Sequence, residues 1–91
     1  MHLVPGFHLR TVGTEYLAVP SGAAAARFNG LLMLNETGAF LVRALDREIG
    51  WDELLARLRE EYDAPDELLA ADLDRFLAQM REQGLLEEDG P

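Results

Sequence analysis

Two histidines (His2 and His8), a single serine (Ser21) and 17 acidic side chains are the groups here whose types could carry catalysis or hold a metal. A zinc site needs three or four nitrogen or sulfur donors, and two histidines near one end with no cysteine do not supply them. The acidic run Glu87-Glu88-Asp89 lacks the glycine-turned ligand loop that a calcium site of the EF-hand type requires. Ser21 has no G-x-S-x-G surroundings to make it a nucleophile. Carboxylate pairs such as Glu60/Glu61 and Asp72/Asp74 read as solvated helix faces, because acid–base work needs one partner in an apolar pocket. A glycine loop for phosphate is absent as well. The expectation is a chain with no catalytic residue, no metal site and no cofactor.

Composition narrows the function further. The formal charge is −9, and all eight basic residues are arginine. A phosphate backbone repels such a surface, which disfavours generic nucleic-acid binding. Apolar runs such as Leu31–Leu34 fall far short of the roughly 20 residues a membrane span needs. The start, Met1-His2-Leu3-Val4-Pro5-Gly6, has no basic stretch followed by an apolar one, so no signal peptide is expected and the default location is cytoplasmic. With 91 residues, 48% of them hydrophobic, the chain predicts one small domain over 1–91 with an ordered core over about 7–86. The absence of cysteine leaves the redox compartment open.

The elements that must position any site come in the order strand, strand, strand, helix, helix, helix. Phe7–Val12 alternates, with Phe7, Leu9 and Thr11 on one face; Gly13-Thr14 signals a turn; Tyr16–Val19 is a second β-prone run stopped by Pro20. Ala23–Ala26 is undecided between helix and loop. Phe28–Leu34 predicts a third strand with Gly30 inside it, a residue that weakens pairing or permits close backbone approach. Asn35 then reads as an N-cap, with Glu36 favourable in the first turn of a helix over about 36–46, whose inward residues are Phe40, Leu41, Ala44 and Leu45. A second helix over about 51–62 carries Trp51, Leu54, Leu55, Leu58 and Tyr62 on one stripe. Asp63-Ala64-Pro65-Asp66 is a break and restart. The third helix, about 65–83, has Leu69, Leu73, Phe76, Leu77 and Met80 as its core face. Gly84 sits at its left-handed cap, Leu85 folds back onto the core, and 87–91 is expected to be a frayed acidic tail. The fold class is α+β and winged-helix-like: a three-stranded antiparallel sheet followed by three helices.

Two features admit more than one reading. The third strand either lies at an open sheet edge, where a peptide can join as a further strand, or has that edge covered. Beside the core face of the third helix runs a stripe of Leu68, Asp72, Arg75 and Gln79, either a solvated flank or one wall of a groove. In the groove reading Arg75 and Asp72 would fix a charged partner, and Leu68 and Phe76 would form apolar floor. The alternative function of another class is a winged-helix DNA-binding regulator. Against it, residues 65–83 carry Asp66, Glu67, Asp72, Asp74 and Glu82 opposite only Arg75 and Arg81, a net −3 where a groove-reading helix needs a positive charge.

The hairpin ending Tyr16–Pro20, the strand-into-helix segment from Phe28-Asn29-Gly30 to Gly38-Ala39-Phe40, the helix start Trp51-Asp52-Glu53-Leu54-Leu55 and the closing Ala71-Asp72-Leu73, Phe76-Leu77 and Gly84-Leu85-Leu86 together resemble the PqqD family. These are the pyrroloquinoline quinone biosynthesis protein D-like peptide chaperones, also described as RiPP recognition elements. The resemblance runs from about Phe7 to Leu86. It implies a non-catalytic chaperone that takes the leader region of a ribosomally made precursor peptide as an extra strand on its third strand, against its third helix. It further implies presentation of that precursor to a separate modifying enzyme. Mapped onto this sequence, the docking strand is Arg27, Phe28, Asn29, Gly30, Leu31, Leu32 and Met33, and the groove wall is Leu68, Asp72, Arg75, Phe76 and Gln79. Lasso-peptide relatives carry aromatic residues just before the strand-to-helix junction, where this chain has Leu32 and Met33. That difference favours an enzyme of the radical SAM type. The partners expected are thus a leader peptide and that enzyme, with no nucleic acid and no membrane; a homodimer stays open.

Overall fold

Gly13 and Thr14 reverse the chain between two β-prone runs, and the register shows how tightly. In the computed structural model, which describes residues 1–88, β2 (Phe7–Val12) pairs antiparallel with β3 (Glu15–Pro20), with Val12 opposite Glu15. Gly13 has φ +64° while Thr14 has a negative φ. A positive φ at the first of two loop residues, filled by glycine, fits the II′ turn whose twist matches that of the flanking strands. A third strand, β4 (Leu32–Leu34), pairs antiparallel with β3 and completes a sheet of order β2-β3-β4.

The sheet leads into three helices. Asn35 caps α2 (Glu36–Ala44), its Oδ1 accepting from the Gly38 N–H at 2.8 Å. The helix buries Ala39, Leu41, Val42 and Ala44. Phe40 is only half-buried and meets the edge of Tyr62, with ring centroids 5.9 Å apart. In α3 (Trp51–Glu61) the buried positions are Leu54, Leu55 and Leu58, with Trp51 and Tyr62 half-buried at the two ends. The Trp51 indole N–H donates to Asp74 on the next helix at 2.7 Å. That helix, α4 (Asp66–Glu82), buries Leu69, Leu73, Phe76, Leu77 and Met80, the five positions its periodicity predicts. Its end is a Schellman motif: Leu85 N–H reaches Met80 C=O at 2.9 Å and Gly84 N–H reaches Arg81 C=O at 3.1 Å. Leu85 is thereby delivered fully buried into the core.

The structure resolves one open reading and corrects three expectations. The alanine run is helical: α1 (Gly22–Arg27) buries Ala24 completely, and Phe28 N–H closes it on Ala24 C=O at 2.8 Å. The N-terminal end is tied down, since β1 (His2–Leu3) pairs antiparallel with β5 (Leu86–Glu87). The Met1 amine and the His2 ring both bond to Glu48 as well. For the same reason Glu87 is not frayed, and Glu88 accepts from Arg81 at 2.7 Å; residues 89–91 lie outside the described residues. The last correction is the length of β4, which spans Leu32–Leu34 rather than Phe28–Leu34.

Pro20 and the strand-poor pair Asn29-Gly30 both act against a longer strand. In a two-residue hairpin the closing pair, Val12 with Glu15, exchanges both backbone hydrogen bonds, and such pairs recur at every second position of an antiparallel ladder. Arg10 with Leu17 and His8 with Val19 are therefore also bonded pairs. It follows that Tyr16 and Ala18 turn their peptide groups the other way, toward Leu34 and Leu32 of β4. The next such pair would be Pro20 with Gly30, but proline has no N–H to give the Gly30 carbonyl. The ladder stops there.

Candidate functional site

The alternation that ends β4 also orients it. Leu32 and Leu34 spend their N–H and C=O groups on β3, so Met33 turns both of its own toward the opposite side. No strand among the described residues pairs there. An edge of this kind is a template for one more strand, and in a −9 molecule its immediate side chains are neutral: Leu31 and Met33 are exposed and apolar.

Alongside this edge lies a cleft of about 180 Å3. One wall is the strand-to-helix junction: Met33, Leu34 and Asn35, then Thr37 and Gly38 of the first turn of α2. The other wall is α4, presenting Asp72, Arg75, Phe76 and Gln79 at the i, i+3, i+4, i+7 spacing of one helix face. Leu41 and Phe76, both buried, make an apolar floor. On the rim Arg75 donates to Asp72 at 3.0 Å, with the arginine side chain 74% exposed. An exposed pair of this kind contributes at most about 1 kcal/mol, so a ligand can take over either partner at little cost.

The residues expected to serve the site are distributed unevenly. Met33, Asp72, Arg75, Phe76 and Gln79 line the cleft. Leu68 does not; it stands 53% exposed farther along α4. Arg27 ends α1 and pairs with Glu87 at 3.0 Å. Phe28 packs half-buried against the core, and the Leu32 side chain is inside it. Asn29, Gly30 and Leu31 form an exposed, irregular lead-in to β4, with Gly30 at φ +141°. Leu34, Asn35, Thr37, Gly38 and Leu41 were not among the expected site residues. Asn35 was the available signal: a cap joining strand directly to helix puts the first helical turn at the end of the sheet edge.

Electrostatics tie one wall of the cleft to α3. The Tyr62 phenol is pushed above its ordinary range, first by burial, then by the nearby Glu36 carboxylate, while a hydrogen bond with the Thr37 side chain opposes the shift. Tyr62 and Phe40 thus brace the first turn of α2 from behind. No cluster of His, Asp or Glu among the described residues is grouped to hold a metal ion. None of their helices is long and apolar enough to cross a membrane. What the arrangement can do is bind: it offers strand-pairing groups, an apolar floor and a re-partnerable ion pair side by side.

Comparison with known proteins agrees with this geometry. Residues 11–86 match the family described as coenzyme PQQ synthesis protein D (PqqD). No curated protein matches the chain. Among solved structures, TbiB1 in complex with the TbiA(beta) leader peptide has the same fold, with a TM-score of 0.70 over 100% of both chains at 16% sequence identity.

Proposed function

Because the chain belongs to the coenzyme PQQ synthesis protein D family, we propose that it is a non-catalytic chaperone for the leader region of a ribosomally synthesised precursor peptide. The observation that carries this reading is the unpaired edge of β4 running beside the α4 cleft. The leader adds as a strand to that edge, where backbone hydrogen bonds set its register. Every second side chain points to one face, so the cleft floored by Leu41 and Phe76 selects an apolar residue of the leader. The solved neighbour holds a leader peptide, which supports this choice of ligand.

The chain performs no chemistry in this reading. It hands the precursor to a separate enzyme, of the radical SAM type, in the cytoplasm. Holding leader and enzyme together raises the effective concentration of the core peptide at the enzyme's active site. A leader affinity between micromolar and nanomolar, about −8 to −12 kcal/mol, suits delivery followed by release.

Leu31→Pro tests the docking edge. If the alternation of β4 is carried one residue further when the leader docks, the Leu31 N–H turns away from β3, so proline there removes a donor meant for the ligand and none bonded within the fold. Fluorescence polarisation with labelled leaders from any short precursor peptides encoded beside this chain should show submicromolar binding of one of them to the parent protein. The variant should bind at least about tenfold more weakly while its melting temperature stays within a few degrees. Unchanged affinity in a folded variant would rule the β4 edge out.

A further inference from the structure

Gly30 and Pro20 together leave β4 half its expected length, and the missing half lies next to the open edge. We infer that Asn29–Leu31 is a strand segment completed by the ligand, and that Gly30 is the positioning residue at which the backbone converts from its free form to extended strand when the leader docks. The inference rests on the leader-binding reading and deepens it.

Three observations carry it. Phe28 and Leu31–Leu34 are apolar residues suited to a strand on either side of Asn29-Gly30, yet only Leu32–Leu34 is strand. On the β3 side the ladder is weakened at Gly30, because the residue it would face, Pro20, has no N–H and one of the two bonds of that pair cannot form. On the other side the Leu31 carbonyl, trans to the Leu32 N–H that faces β3, points to the open edge, where an added strand can pair with it. Without that strand nothing holds the segment extended, and Gly30 rests at φ +141°, a region open to glycine and strained for other residues. A Cβ built on Gly30 meets only the Phe28 ring, at 3.8 Å, which is ordinary contact. Space is therefore not why glycine is needed; the free-state dihedral is.

This makes a side chain at Gly30 act in opposite directions on folding and on binding. Gly30→Ala strains the free form and leaves the extended form unstrained. The free protein should melt at a lower temperature, while the same labelled leader should bind tighter, by about tenfold. A glycine serving structure alone keeps φ +141° in both states, and then affinity would stay level or fall. Pro20→Ala reaches the same end from the neighbouring strand by restoring the donor, so β4 can extend to Gly30 before the ligand arrives. It too should tighten binding, and it remains informative if Gly30→Ala does not fold. A third readout needs no variant: hydrogen exchange should show the leader protecting the Leu31 amide together with that of Met33.

The outcomes separate cleanly. Tighter binding in either variant, with Leu31 protected, supports the conversion. Parent protein that binds with only Met33 protected, and variants that bind no tighter, would overturn it while leaving leader binding intact. Parent protein that binds no leader would overturn both.

Discussion

Tyr62 ends α3 with its hydroxyl beside Thr37 and its ring against Phe40, so a single side chain links the wall of the cleft to the helix behind it. Its raised pKa has a direct consequence for stability. The phenol of the unfolded chain ionises near 10.0, whereas burial and Glu36 keep the folded one protonated to higher pH. The stabilising effect is complete below pH 10 and is lost as pH rises through the folded value. Melting temperatures measured from pH 9 to pH 11.5 should therefore fall, and Tyr62→Phe should flatten the Tyr62 part of that fall. An equally steep decline in the phenylalanine variant would assign the alkaline sensitivity to other groups. The Asp72–Arg75 pair is of a different kind. It is exposed and local to one helix, so its worth lies in the charges it keeps on the rim rather than in holding the fold.

Among the elements, α4 was the most legible in the sequence. Five apolar side chains at helical spacing and a glycine at its end leave little choice of face or stop, and all five are buried. The Schellman closure then does more than end a helix: it aims Leu85 into the core and starts β5, which pairs with β1. Leu85→Ala should therefore cost about 3 kcal/mol, roughly 10–25 °C of melting temperature for a domain of this size. A loss below about 1 kcal/mol in urea titration would mean that the joint is loosely packed. What could not be read were features that depend on distant partners. The β1–β5 pair joins residues some 84 positions apart, and neither two-residue strand has a pattern of its own. Four alanines favour a helix, but where α1 sits depends on the complete burial of Ala24 by the rest of the fold. The end of β4 was misjudged for a related reason: Phe28 and Leu31 suit a strand and Asn29-Gly30 was too weak a signal to end it, while a missing donor at Pro20, ten residues before Gly30, matters only once the register is known. The α4 wall of the cleft was visible as a stripe of side chains. The α2 wall was not, since it is made by a turn that folds back to meet that stripe.

For the whole molecule, the charge of −9 on 91 residues acts at a distance that no single contact spans. The docking edge itself is neutral and apolar at Leu31 and Met33, and strand pairing is indifferent to side-chain charge. Charge should therefore govern how fast a leader arrives more than how long it stays. At about 0.01 M ionic strength the screening length is roughly 30 Å, which exceeds the 12.8 Å radius of gyration, so a peptide meets the field of the entire protein. At about 0.15 M it is roughly 8 Å, and only the rim of the cleft is felt. A leader with a net positive charge should lose association rate between these conditions, by tenfold or more, with a dissociation rate that changes about twofold at most. Neutralising the same leader at positions outside its docking strand should remove most of the salt dependence and leave dissociation alone. Stopped-flow fluorescence at both ionic strengths separates the two rates. If salt acts mainly on dissociation, a charged contact must persist in the bound complex, and the Asp72–Arg75 rim is where the structure offers one.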